Sequence, residues 1–206
     1  MSEFGELYTG VLDWVISSIY LIKDSPDTHL YIKPHPSEVF DIKSAKGVLD
    51  FIYAEFDELP SNVTIIFPEM QILTYDLFKY IDVGVVYNGT LGLEMLFKNI
   101  PVIACGKTPY GGIDLVSEPK SIEEYRELLL YTADLHKPSR EEILMFSYFY
   151  FIKTLIPWSF TESVYDDNFK GFKMNNIEKI MPNEDYHLDH ICSSILNADK
   201  KNMDSW

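Results

Sequence analysis

Apolar residues recur at helical spacing near the start of the chain, where Leu7, Val11, Trp14, Val15, Ile19 and Ile22 share one face. This predicts an amphipathic helix over residues 5–23. "THLYIK" (28–33) then reads as a strand, and Val48, Phe51, Ile52, Phe56 and Leu59 restore the helical period over 44–59. The β-branched run "NVTIIF" (62–67) is a second strand. A brief helix (73–81), a strand (83–87), a helix (90–99) and a strand (101–105) follow. Ser121 and Ser139 each precede a glutamate by three residues, Glu124 and Glu142. These capping boxes open helices over 121–135 and 139–156. The second of these helices carries aromatics all round, which predicts burial on more than one side. Residues 157–185 have no clear period, a last helix spans about 186–196, and the remaining residues read as a frayed end.

Strands alternating with helices at this spacing imply right-handed crossovers and a parallel sheet. The expected fold class is α/β, a Rossmann-like parallel sheet of about four or more strands flanked by helices, with extra C-terminal helices. Residues 1–156 form the expected first domain, and 157–206 an irregular segment and helix packing back on it.

The 206 residues are 47% hydrophobic and 15% aromatic, enough for a sizeable core and against disorder. A net charge of −15 disfavours nucleic acid or an anionic membrane face as partner of the bulk surface. Any anion must therefore be held by a local device. Cys105 and Cys192 show no framework spacing, which fits a reduced, cytoplasmic protein. The most apolar stretch, "ILMFSYFYFIKTLIPW", is interrupted by Lys153 and Pro157, leaving peripheral membrane association but no span. Its aromatics, Phe146 to Phe151, read as core or as an interface to a further domain.

Two stretches carry candidate chemistry. "YIKPHPSEVF" (31–40) ends a strand in Lys33, Pro34, His35 and Pro36. The prolines remove two donors and bias Lys33 and His35 toward extended geometry, at the strand end where open α/β sheets bind ligands. In "DVGVVYNGTLGLEMLFKNIPVIACGKTPYGG" (82–112), Asn88, Gly89 and Thr90 turn from a strand into a helix beginning Leu91-Gly92-Leu93-Glu94. Gly89 allows close backbone approach, and Thr90 either caps the helix or donates to a phosphate. Glu94 suits neutral hydroxyls such as a ribose diol. His187 and His190, with Asp185 and Asp189, read as helix surface rather than a metal site, and no metal is expected.

These stretches resemble the C-terminal half of capsular polysaccharide synthesis glycosyltransferases, the group that includes the Kdo transferases. The carriers are the Lys-x-His-Pro strand end, the Thr-x-Gly-x-Glu turn-helix, "PVI" at 101–103 and the loop "GKTPYGG". Asn99-Ile100 stands where the family often has a glycine. The His-Pro and Thr elements are also similar to those of bacterial sialyltransferases and CDP-glycerol polymerases. The resemblance implies the donor-binding domain of a GT-B glycosyltransferase for capsule or surface polysaccharide, using a CMP-activated acidic sugar and no separate cofactor. His35 and Thr90 would contact the donor phosphate, with backbone from Gly89 and Leu91 and with Lys33 behind them. Glu94 would hold the ribose, and Pro68 and Glu69 would meet the base. Lys107 and Tyr110 would close over the donor. His35 would be the catalytic group, stabilising the departing CMP. The implied partners are the donor, a saccharide or glycolipid acceptor, and a missing N-terminal GT-B domain in cis or in trans. The rival expectations are a CDP-glycerol-type phosphotransferase domain, a nucleotide-sugar epimerase and a non-catalytic partner module.

Overall fold

The structure is a computed structural model, and it describes residues 7–35, 47–67, 69–155, 161–165, 170–174 and 177–203. The chain divides into two compact units, the first through Ser147 and the second from Tyr148. The helix expected over 139–156 begins as an α-helix and passes into a π-helical turn over Phe149–Lys153.

In the first unit α1 (Val11–Ile22) leads to β1 (Leu30–Ile32), α2 (Val48–Glu55) and β2 (Val63–Ile65). There follow α3 (Thr74–Leu77), β3 (Gly84–Val86), α4 (Leu91–Leu96) and β4 (Val102–Ala104). The unit continues with α5 (Ile122–Leu130) and enters α6 (Arg140–Tyr148). Each predicted element is present with shorter ends, as expected where terminal residues lack partners.

The expected four-stranded parallel sheet is a correction. The strands form two parallel pairs, β1 with β2 (Ile32 opposite Ile65) and β3 with β4 (Val86 opposite Ala104). Among the described residues no ladder joins the pairs, and Ser117 adds one parallel bridge to Ile103.

Side-chain alternation along β3 and β4 nevertheless makes two packed faces. Val85, Ile103 and Cys105 join α1, α2 and α5 in one apolar cluster. Val86, Val102 and Ala104 join α4 and the start of α6 in the other. Helices thus cover both sides of this pair, the arrangement that near-continuous apolar strands require.

Two polar devices tie the first layer together. Ser18 gives its hydroxyl proton to the Trp14 carbonyl (2.7 Å), so the buried Tyr125 hydroxyl must donate to Ser18 (2.8 Å). Tyr125 in turn accepts from the Trp14 indole (3.1 Å), which closes the network between α1 and α5. Asn62, just before β2, gives its amide to the carbonyls of Ile22, Ser25 and Thr28. It thereby satisfies acceptors that the end of α1 leaves open.

In α6 the Ser139–Glu142 box forms in both directions, at 3.2 and 2.7 Å. The aromatic face beyond it is not buried on several sides as expected. Ile143 is buried and Phe146 half-buried in the second cluster, whereas Leu144, Met145, Tyr148, Phe149 and Phe151 are exposed.

The second unit holds a hairpin where no period was read. β5 (Thr161–Tyr165) pairs antiparallel with β6 (Lys170–Met174), Ser163 opposite Phe172. Local backbone pairing makes such a hairpin without a long apolar stripe. α7 (Tyr186–Met203) runs past the expected end near 196, a second correction. Its start is capped by Asp185, which accepts from the amides of His187 and Leu188. Asp189 accepts from the Asn183 amide, and the His190 ring stacks on Tyr186.

Candidate functional site at the strand ends

The segment leaving β1 runs beside the one leaving β2, because the pair is parallel and the Ile66 amide bonds the Ile32 carbonyl at 2.8 Å. Lys33 is half-buried, Pro34 buried and His35 exposed. Pro34 is buried where the chain leaves β1, and the His35 ring beside it is at the surface; Pro36 lies outside the described residues. Phe67 packs into the first cluster, and Glu69 is exposed in the next turn. Pro68, assigned to base contact, lies outside the described residues.

The ends of β3 and β4 make the other half. Tyr87 packs on Trp14 with ring centroids 5.6 Å apart, which fixes the chain as it leaves β3. Gly89 has φ 86, a left-handed conformation that L side chains rarely adopt, with open space where a Cβ would stand. Thr90 precedes α4, but its side chain makes no capping hydrogen bond. The first of its two expected roles is therefore not taken, and the hydroxyl is not spent on the helix. Its carbonyl accepts from the Leu93 amide at 3.0 Å, and Leu91 packs against the second cluster.

Glu94 is half-buried and accepts a hydrogen bond from the Tyr75 hydroxyl at 2.5 Å. That bond, and then the carboxylate's charge, raise the Tyr75 pKa above its ordinary value. Tyr75 was missed by sequence reasoning. It lies in a short helix far along the chain from Glu94, and no spacing links them.

Beyond β4 the loop 105–112 closes against the β3 turn. Its Gly106 faces the Tyr87 backbone and ring, where a Cβ would find ring carbons at 3.1 Å and the carbonyl oxygen closer still. The Gly112 amide bonds the Glu118 carboxylate at 2.6 Å, and Gly112 has φ 72. A cavity of about 310 Å³ opens here, lined by Leu7, Cys105, Lys107, Thr108, Glu118 and Pro119 among others. The Thr108 hydroxyl is buried without a partner, and Lys107 is exposed beside it. Glu118 and Thr108 carried no motif and were not singled out from the sequence.

Tyr110 was expected to close over a donor, but it is fully buried. It packs edge-to-face on Phe146 (6.4 Å, 83°) and lies directly beneath Gly92. Burial pushes its pKa up to about 12; the Gly92 amide beside the oxygen pulls the other way without reaching hydrogen-bond geometry. Tyr110 therefore anchors the loop from below, which leaves Lys107 as the loop's exposed cation.

The candidates thus follow two strand pairs: Lys33, His35 and Glu69 come after β1 and β2, and Gly89, Thr90, Leu91, Glu94 and Lys107 after β3 and β4. Ile32, Phe67, Tyr87 and Cys105, where the four strands give out, all belong to one apolar cluster.

Residues 10–149 match the family model described as capsule polysaccharide biosynthesis protein. The chain belongs to that family. Membership gives it a role in capsule polysaccharide synthesis, and both strand-end groups lie within the matched span. The comparisons with curated proteins and with solved structures return no match. Among the described residues no helix is long and apolar enough to cross a membrane, and no three His, Cys, Asp or Glu side chains gather as metal ligands would.

Proposed function

We propose that this capsule-synthesis family member is the nucleotide-sugar-binding domain of a glycosyltransferase, taking a CMP-activated acidic sugar. The observation that carries the reading is the Thr90 hydroxyl, uncommitted to its own helix beside a left-handed Gly89 at the end of β3. A chain of net charge −15 needs such a local device to hold an anion, and Lys33 and His35 stand at the C-terminal end of β1. In this reading His35, Thr90 and the backbone of Gly89 and Leu91 hold the donor phosphate. Glu94, already oriented by Tyr75, accepts from the ribose hydroxyls with its remaining lone pairs. Glu69 and Pro68 border the base.

Transfer joins an acceptor hydroxyl oxygen to the sugar's anomeric carbon with loss of the hydroxyl proton, breaks the bond from that carbon to the phosphate oxygen, and leaves charge on the departing CMP. Donors already aimed at that oxygen stabilise the transition state more than the bound donor, which is how they accelerate the step. The acceptor and its general base belong to a second, N-terminal domain, in cis or in trans. The setting is the cytoplasmic side of the membrane.

The test is calorimetric titration of the chain with CMP, CDP, UDP and GDP, alongside His35→Ala and Thr90→Val. CMP binds tightest, and His35→Ala weakens it about tenfold or more, the effect of losing a charged hydrogen bond of about 1.5–3 kcal/mol. Tightest binding of CDP, with the same loss in the variant, favours the CDP-glycerol alternative. Binding of UDP or GDP in preference, or of no nucleotide, overturns the reading.

A further inference from the structure

We infer that Tyr75 is the stacking surface for the donor's nucleobase, an inference that rests on the nucleotide-binding reading of the same site. Tyr75 is 60% exposed, yet its ring is held at two points. The hydroxyl is tied to Glu94, and the ring meets Phe78 edge-to-face at 5.5 Å and 82°. An exposed tyrosine with no function ordinarily samples several rotamers, and this one presents a ring whose tip is fixed on the carboxylate assigned to the ribose. A base is joined directly to the ribose it accompanies, so a ring one hydrogen bond from the ribose ligand is within reach of it.

The surroundings suit a flat, weakly polar ring. Met70 (44% exposed), Ile72 (38%) and Leu73 (65%) precede Tyr75 on the segment between β2 and α3 and are all solvent-facing. Such a run of apolar side chains in an acidic surface offers dispersion contact and little hydrogen bonding. Base–aromatic stacking is correspondingly tolerant of base identity. Tyr75 thus supplies affinity for the base, while choice among bases falls to other groups.

The experiment compares CMP with ribose 5-phosphate, which has the ribose and phosphate but no base, on the full chain and on Tyr75→Phe and Tyr75→Leu. Both variants lose the tie to Glu94, and only Tyr75→Leu loses the ring. Tyr75 is exposed and lies outside the buried core, so both variants should retain the wild-type circular dichroism. Stacking of one base amounts to roughly a five- to 150-fold change in affinity. Tyr75→Leu should therefore bind CMP about tenfold or more weakly than Tyr75→Phe, while the two bind ribose 5-phosphate equally. Equal CMP affinity in the two variants overturns the inference and leaves Tyr75 as a positioning residue for Glu94, with the nucleotide reading intact. A wild-type chain that binds neither ligand overturns the nucleotide reading and this inference together.

Discussion

Replacing Gly92 with alanine tests the packing that joins the two loops of the candidate site. A Cβ on Gly92 would stand 2.8 Å from Tyr110 Cζ and 3.1 Å from Cε2, with the hydroxyl oxygen nearer still. Carbon atoms prefer about 3.5–4.0 Å. Tyr110 cannot swing aside, because it is fully buried and set against Phe146. Overpacking of this kind costs about 1–3 kcal/mol. Alanine in place of glycine returns at most about 1 kcal/mol through helix propensity, and less this close to the start of a six-residue helix. The net expectation is a loss of about 1–2 kcal/mol, or a fall in Tm of roughly 2–8 °C. Tyr110→Phe removes the closest atom, and because that hydroxyl has no hydrogen-bond partner its loss alone is nearly neutral. The ring carbons remain close, so the double variant should recover part of the stability, giving a favourable coupling of about 0.5–1 kcal/mol. Urea unfolding of the four proteins measures all of this. Gly92→Ala at or above wild-type stability, or a double variant no better than the single, would refute the stacking of Tyr110 beneath α4.

Two further expectations rest on the first layer. Asn62→Asp sets a carboxylate against three carbonyl oxygens and should unfold the α1 end far more readily than Asn62→Ala, itself about 2–3 kcal/mol destabilising by thermal melts; equal stability of the two variants would contradict the capping role. Burial pushes the Cys105 thiol up to about 12 from a usual 9.0, so its neutral form supports the fold fully below pH 9 and that support is lost as pH rises toward 12. In the native protein at pH 8.5 iodoacetamide should therefore modify the exposed Cys192 and spare Cys105, with two thiols reacting in denaturant; rapid native labelling of both would contradict the burial.

Elements whose residues decide locally were legible in the sequence. Helical spacing located α1 and α2, and the capping serines 121 and 139 marked where α5 and α6 begin. Gly89 was legible for the same reason, since a left-handed turn restricts the residue at one position regardless of its distant surroundings. The prolines marked where β1 gives out: the strand ends at Ile32, and Pro34 is buried just beyond it. Family membership added the role in capsule polysaccharide synthesis, and it rests on residues 10–149 as a whole.

Tertiary structure decided everything that needs two distant segments to meet. Tyr110 looked like a loop residue free to move, but it became a core residue because Gly92 leaves room for it from another part of the chain. Thr90 had two local uses open to it, and only the folded turn shows its hydroxyl unspent on α4. Glu94 was visible alone, whereas its partner Tyr75 comes from α3, 19 residues away along the chain, a pairing that no periodicity encodes. The sheet behaves likewise: apolar runs identify four strands, but ladder formation depends on how three-residue strands line up, and here they join in pairs. Periodicity and turn chemistry are properties of short segments and travel with the sequence. Partnership across the fold is a property of packing, and it exists only once the chain has closed on itself.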